Sequence, residues 1–124
     1  MAASKERIRE VVDEYVRLVA TGTAEEIVAL YADGATVEDP VGSDVRRGPE
    51  AITAFYSGLE GLEQKTRLLA LRVAGGEAAF HFEVQTFAEG VTYTLSPFDV
   101  MTFDDDGRIT SMRAYWGDDD LVMG

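Results

Sequence analysis

Two aspartates and three tyrosines are the residues of this chain whose types and settings could do chemistry. Asp99 stands in SPFDVMTF, a run that otherwise reads as a buried strand. Strand alternation puts it on one face with Pro97, Met101 and Phe103, and sends Phe98 and Val100 to the other. An ionised carboxylate there is costly without a partner, so it pairs with a cation or takes up a proton. Arg67, Arg72, Arg108 and Arg113 are the candidates for pairing; otherwise Asp99 stays neutral and donates a hydrogen bond. Asp39 stands in TVEDPVG. An Asp-Pro turn closing a strand explains it as readily as a general base at the mouth of a pocket does. Glu38 alternates to the opposite face. With Asp39 ionised and Asp99 neutral, the two would hold the opposite protonation states expected of an acid–base site.

Tyr15, Tyr31 and Tyr56 each fall on the apolar stripe of a helical pattern. Singly, each reads as a core tyrosine whose phenol finds a carbonyl or the surface. Three phenols converging on one cavity would instead form a hydrogen-bonded chain that ends in a polarised donor. His81 is the only histidine. Alternation in FHF turns it away from Phe80 and Phe82, toward an outer sheet face.

The elements that must position these groups change character halfway along the chain. Ser4 can cap a helix reaching about Ala20, with Ile8, Val12, Tyr15 and Val19 on one face. Gly22 is a stop, and Thr23 with Glu26 forms a capping box opening a second helix. Its stripe is Ala24, Ile27, Val28 and Tyr31, ending near Asp33-Gly34. Gly48-Pro49 begins a third, with Ile52, Phe55, Tyr56 and Leu59 inward. ATVED adds a short strand after the second helix. Then come LLALRVAG, EAAFHFEVQTF, VTYTLSPFDVMTF and RITSMRAYW, β-rich runs separated by Gly75-Gly76, Glu89-Gly90 and Asp106-Gly107. Helices first and a meander of strands afterwards predict an α+β fold, three helices covering one face of a curved antiparallel or mixed sheet with a pocket between.

At 124 residues the chain reads as one domain, residues 1–124, able to bury roughly two-thirds of its unfolded surface. It has no cysteine and one histidine, which excludes thiolate metal sites and pairs of imidazoles. The acidic turn at 104 to 107 reads as a hairpin rather than a calcium loop. No metal or cofactor site is therefore expected. The 11 basic and 23 acidic residues give a net charge of −12, which argues against nucleic acid or anionic lipid as a partner. No apolar run approaches the roughly 18 residues of a membrane span. The N-terminal stretch lacks the apolar segment of a secretory signal, so a cytoplasmic location is expected.

YADGATVEDPVG, the later AFY, and FDVMTFDDDGRITSMRAYW resemble the bacterial ketosteroid isomerases. These belong to the cone-shaped folds typified by nuclear transport factor 2 (NTF2-like). The resemblance runs from the first helix to Trp116, densest over residues 30 to 42 and 98 to 116 and loosest over 60 to 95. It implies that Asp39 is the catalytic base, and that Tyr15 and a protonated Asp99 donate to the substrate oxygen. The family is the standing example of a carboxylic acid kept neutral by its apolar site. Tyr31 and Tyr56 would extend the hydrogen-bond network. Phe55, Phe80, Phe82, Met101, Met112 and Trp116 would line a cavity for a neutral steroid or similar apolar ketone. A homodimer without cofactors is the implied state. Two rival readings remain: another enzyme on the same fold, such as a polyketide cyclase or an epoxide hydrolase with an Asp–Arg–Asp site, or a non-catalytic module for an apolar ligand.

Overall fold

A computed structural model describes residues 2–124. Helix α1 (Lys5–Thr21) starts where Ser4 accepts a hydrogen bond from the Arg7 amide at 3.1 Å. Its buried stripe includes Ile8, Val12 and Tyr15, as the periodicity predicts. Gly22 follows directly, where a Cβ would come within 2.6 Å of the Leu18 side chain.

The capping box of Thr23 and Glu26 opens α2 (Ala24–Val28), but this helix is shorter than its apolar stripe implies. Tyr31 keeps helical spacing with Ala24, Ile27 and Val28, yet it begins strand β1 (Tyr31–Glu38). Pairing with a distant strand overrides the local pattern. Tyr31 lies in register with Ile109, whose amide donates to the Leu30 carbonyl at 2.9 Å. Backbone groups that a longer helix would leave to water are satisfied instead by the sheet.

A two-residue strand, β2 (Arg46–Arg47), leads into α3 (Gly48–Ser57), with proline in its first turn and Ile52 and Tyr56 buried. Leu59 falls just past the end of α3 rather than on its face. The rest is strand: β3 (Glu63–Ala74), β4 (Glu77–Ala88), β5 (Val91–Leu95), β6 (Phe98–Phe103), β7 (Ile109–Tyr115) and the short β8 (Val122–Met123). Asp104 closes the β6–β7 hairpin by accepting from the amides of Asp106 (3.0 Å) and Arg108 (2.9 Å), the hairpin role expected of that acidic turn.

The strands form one curved mixed sheet in the order β2-β1-β7-β6-β4-β5-β8, with β3 on the other edge of β4. Among the described residues only β1 and β7 run parallel. Strand β4 is long enough to serve two successive neighbours. Its first half pairs with β6 and its second with β5. Pro97 sits in the break between those neighbours, where its missing amide costs no ladder bond. Its carbonyl still accepts from the Phe82 amide at 3.3 Å. Helix α1 packs on β3 and β4, and α3 on β1 and β2, while α2 packs on α3 and α1; three helices and a curved mixed sheet are the α+β architecture expected.

Candidate active site

The candidate groups are spread over five elements, with Tyr31 and Asp39 at the two ends of one strand. Tyr15 projects from the middle of α1 and Tyr56 from the last turn of α3. Tyr31 opens β1. Asp39 follows the end of β1, Asp99 is the second residue of β6, and Trp116 follows the end of β7. Because β1 and β7 are parallel neighbours, their ends bring Asp39 and Trp116 together.

The three phenols form a chain. Tyr56 Oη lies 2.7 Å from Tyr31 Oη and 3.1 Å from Tyr15 Oη. All three rings are buried. Burial raises each phenol well above its ordinary pKa, so all three keep their protons. With Tyr31 donating to Tyr56 and Tyr56 to Tyr15, the Tyr15 proton is left for a further acceptor. The edges of Phe80 and Phe82 meet the Tyr15 ring with centroids 6.2 and 6.3 Å away and fix its aim.

Asp99 is 1% exposed, and its Oδ1 has no hydrogen-bond partner among the described residues. None of the four arginines considered for it pairs with it. Arg113 donates to Glu38 at 2.8 Å on the opposite face, and Arg67 approaches Glu83 at 3.6 Å. Arg72 donates to the Leu71 carbonyl. Burial foremost, and then the charge of Asp39, push the Asp99 carboxyl well above the usual carboxylate range. A shift in that direction favours the protonated carboxyl over the carboxylate.

Asp39 lives in a different environment. Burial raises its pKa, but two neighbours oppose the rise: the indole of Trp116, donating Nε1–H to Oδ1 at 2.7 Å, and the positive charge of Arg46. The Arg46 guanidinium lies 4.5 Å from the centre of the Phe55 ring, which forms part of the same wall.

Tyr15, Asp39 and Asp99 all open onto one cavity of about 280 Å³ between the helices and the sheet. Tyr56, Phe55, Phe82 and Trp116 line it as well. Tyr31 stands behind Tyr56, one hydrogen bond removed from the cavity. Phe80, Met101 and Met112, expected in the wall, are instead core residues, 2%, 0% and 0% exposed and absent from the lining. Met101 and Met112 are cross-strand partners in β6 and β7. His81 faces outward and stacks on Phe98 with centroids 4.1 Å apart.

The sequence reading missed much of the far wall: Leu62, Gln64, Val84, Thr86, Tyr93 and Leu95. Alternation from Phe82 would have found Val84 and Thr86. Their strand partners Leu95 and Tyr93 follow only once the register is known. Among the described residues no group of three or more His, Cys, Asp or Glu is arranged to hold a metal.

A steroid Δ-isomerase of Nocardioides simplex is 50% identical over 116 residues, covering 94% of each chain. The chain belongs to the ketosteroid isomerase family. The broader model for SnoaL-like domains matches residues 12–112, consistent with the NTF2-like cone. More distant similarities carry other names. Epoxide hydrolase LasB of Streptomyces lasalocidi is 28% identical and matches 98% of this chain, which spans 51% of LasB. The structure of SalBIII, an epoxide hydrolase/cyclase-like enzyme of pyran ring formation in salinomycin, superposes with a TM-score of 0.89 at 28% identity over 98% of both chains. RV0760c from Mycobacterium tuberculosis gives 0.87 at 22% identity, covering 98% of this chain and 99% of its own, a likeness of fold alone.

Proposed function

We infer that the chain is a steroid Δ-isomerase, moving the double bond of a neutral 3-oxo-Δ5-steroid to the Δ4 position. Asp39 is the base. It removes a proton from carbon 4, next to the ketone, and the electrons shift to give a dienolate. Tyr15 and neutral Asp99 donate hydrogen bonds to the oxygen as it gains negative charge, and Tyr31 and Tyr56 polarise Tyr15 from behind. Asp39 then returns the proton at carbon 6, so atoms and charge balance within one substrate and no metal or redox cofactor takes part.

The observation that carries this reading is the buried, unpartnered Oδ1 of Asp99 on the same cavity as Asp39. A carboxyl in that condition is a donor awaiting an acceptor, which a developing oxyanion supplies. The same observation weighs against an epoxide hydrolase of the Asp–Arg–Asp kind. Such a site needs a guanidinium between its acids, and here the partner of Asp39 is an indole.

A homodimer formed through the outer sheet face is part of the proposal. Phe98 and Tyr115 are cross-strand partners left 57% and 42% exposed, and His81 stacks beside them. An aromatic row of that kind is better covered than solvated. A cytoplasmic location is proposed as well; no helix among the described residues is long and apolar enough to cross a membrane.

The test is a spectrophotometric assay for the conjugated enone formed from 5-androstene-3,17-dione. Wild type is expected to turn over, and Asp39→Asn to lose about 10² to 10⁴ of the rate while still binding steroid. Near-normal turnover by Asp39→Asn would remove the base from the scheme.

A further inference from the structure

The catalytic groups occupy one end of the cavity, and a second set of polar side chains, which the reaction does not use, occupies the other. Gln64, Thr86 and Tyr93 all line it. They form a single cross-strand row: Gln64 is in register with Thr86, and Thr86 with Tyr93. Asp99 is in register with Phe80, so the row lies six residues further along β4. That is about 20 Å along the strand, and less across the concave side of a curved sheet. Between them the wall is apolar, with Phe82, Val84 and Leu95.

The row is only partly satisfied by itself. Gln64 Nε2 donates to Thr86 Oγ1 at 3.0 Å. This leaves the amide its second N–H and the threonine its own hydroxyl proton. The Tyr93 hydroxyl has no hydrogen-bond partner among the described residues. Polar groups placed within an otherwise apolar pocket fix the orientation of a ligand, and a wholly apolar ligand end would strip them of water without replacing it.

We propose that Gln64, Thr86 and Tyr93 form a subsite for a hydrogen-bonding oxygen at the end of the ligand remote from the enolised ketone, on a steroid an oxygen at or next to carbon 17. The proposal rests on the isomerase reading for the name of the ligand, but concerns a different part of the wall. Two sources share this chemistry, a ring ketone and a short oxygenated side chain. The row selects against substrates that lack both. It also sets direction: the molecule enters so that its second polar group stays at the row and its ketone reaches Tyr15 and Asp99.

The experiment compares three substrates: 5-androsten-3-one, which lacks the distal oxygen, 5-androstene-3,17-dione and 5-pregnene-3,20-dione. The readout is the ratio of kcat/KM for each oxygenated substrate to that for 5-androsten-3-one, in wild type, Gln64→Leu and Tyr93→Phe. Wild type should favour at least one oxygenated substrate, and each variant should lower that ratio about fivefold, the worth of one ordinary hydrogen bond. Whichever of the two oxygenated substrates loses its advantage identifies the source. A variant that is merely less well folded lowers every rate together and leaves the ratio unmoved. Ratios equal to those of wild type in both variants would overturn the subsite while leaving the isomerase reading intact. Absence of turnover on all three substrates would instead sink the isomerase reading. Dissociation constants of the same three steroids, measured with Asp39→Asn and with Asp39→Asn carrying Gln64→Leu, then decide the subsite without turnover: equal affinity ratios in the two proteins would overturn it.

Discussion

The indole of Trp116 and the carboxylate of Asp39 meet at 2.7 Å although 77 residues separate them in the chain. Burial drives this carboxyl toward its protonated form, and the indole N–H, by bonding the charged form, holds it back. Trp116→Phe keeps the ring and deletes the donor. The pKa of Asp39 should then rise, and because the base must be ionised to act, activity should be lost first on the acid side. The acid limb of the kcat/KM profile should move up by about one pH unit. An unmoved limb would mean that the indole serves only as a wall.

The phenol chain makes a separate prediction. In the proposed scheme Tyr15→Phe removes a donor to the reacting oxygen and should cost about a hundredfold in kcat. Tyr56→Phe removes a group one step back, at 3.1 Å from Tyr15, and should cost less while leaving KM nearly in place. Asp99→Leu combined with Tyr15→Phe should not show the product of the two separate losses, because both donors serve one oxygen. Single-turnover rates on wild type, the three single variants and the double variant decide this.

Asp99 also has a consequence for stability. Its folded-state pKa is raised, first by burial and then by Asp39. Below about pH 4, the usual carboxylate value, folded and unfolded chains both hold the proton. Above that the unfolded chain releases it and the folded chain does not, so stability falls as pH rises until the raised pKa is passed. The slope is at most about 1.4 kcal/mol per pH unit for one proton. Asp99→Asn cannot titrate, and its stability relative to wild type should therefore grow between pH 5 and pH 8. Urea unfolding at those two values measures the gap, and a constant gap would place the Asp99 charge in water.

Much of this arrangement was legible in the sequence because the signals were local. Capping residues located two helices, glycine-containing turns separated the strands, and alternation in SPFDVMTF put Asp99 inside without reference to any other element. Tyr31 shows where local signals stop. Its spacing from Ala24 and Ile27 is helical, and only the pairing with Ile109, far along the chain, makes it a strand residue. The unpaired state of Asp99 was equally invisible, since four arginines were available on paper and their actual partners depend on register and face. The family resemblance implies Met101 and Met112 as cavity wall, yet both lie in the core; depth within the sheet layer is not written in alternation. The far wall stayed hidden because it is assembled from β3, β4 and β5 together, so no single segment carries its pattern.

Among the described residues the one parallel strand pair joins the first strand to the seventh, with Asp39 at the tip of one and its indole companion Trp116 at the tip of the other. A nascent chain leaving the ribosome thus displays Asp39 well before the strand that brings Trp116 to it. Until the late strand zips alongside the early one, that carboxyl lacks its companion.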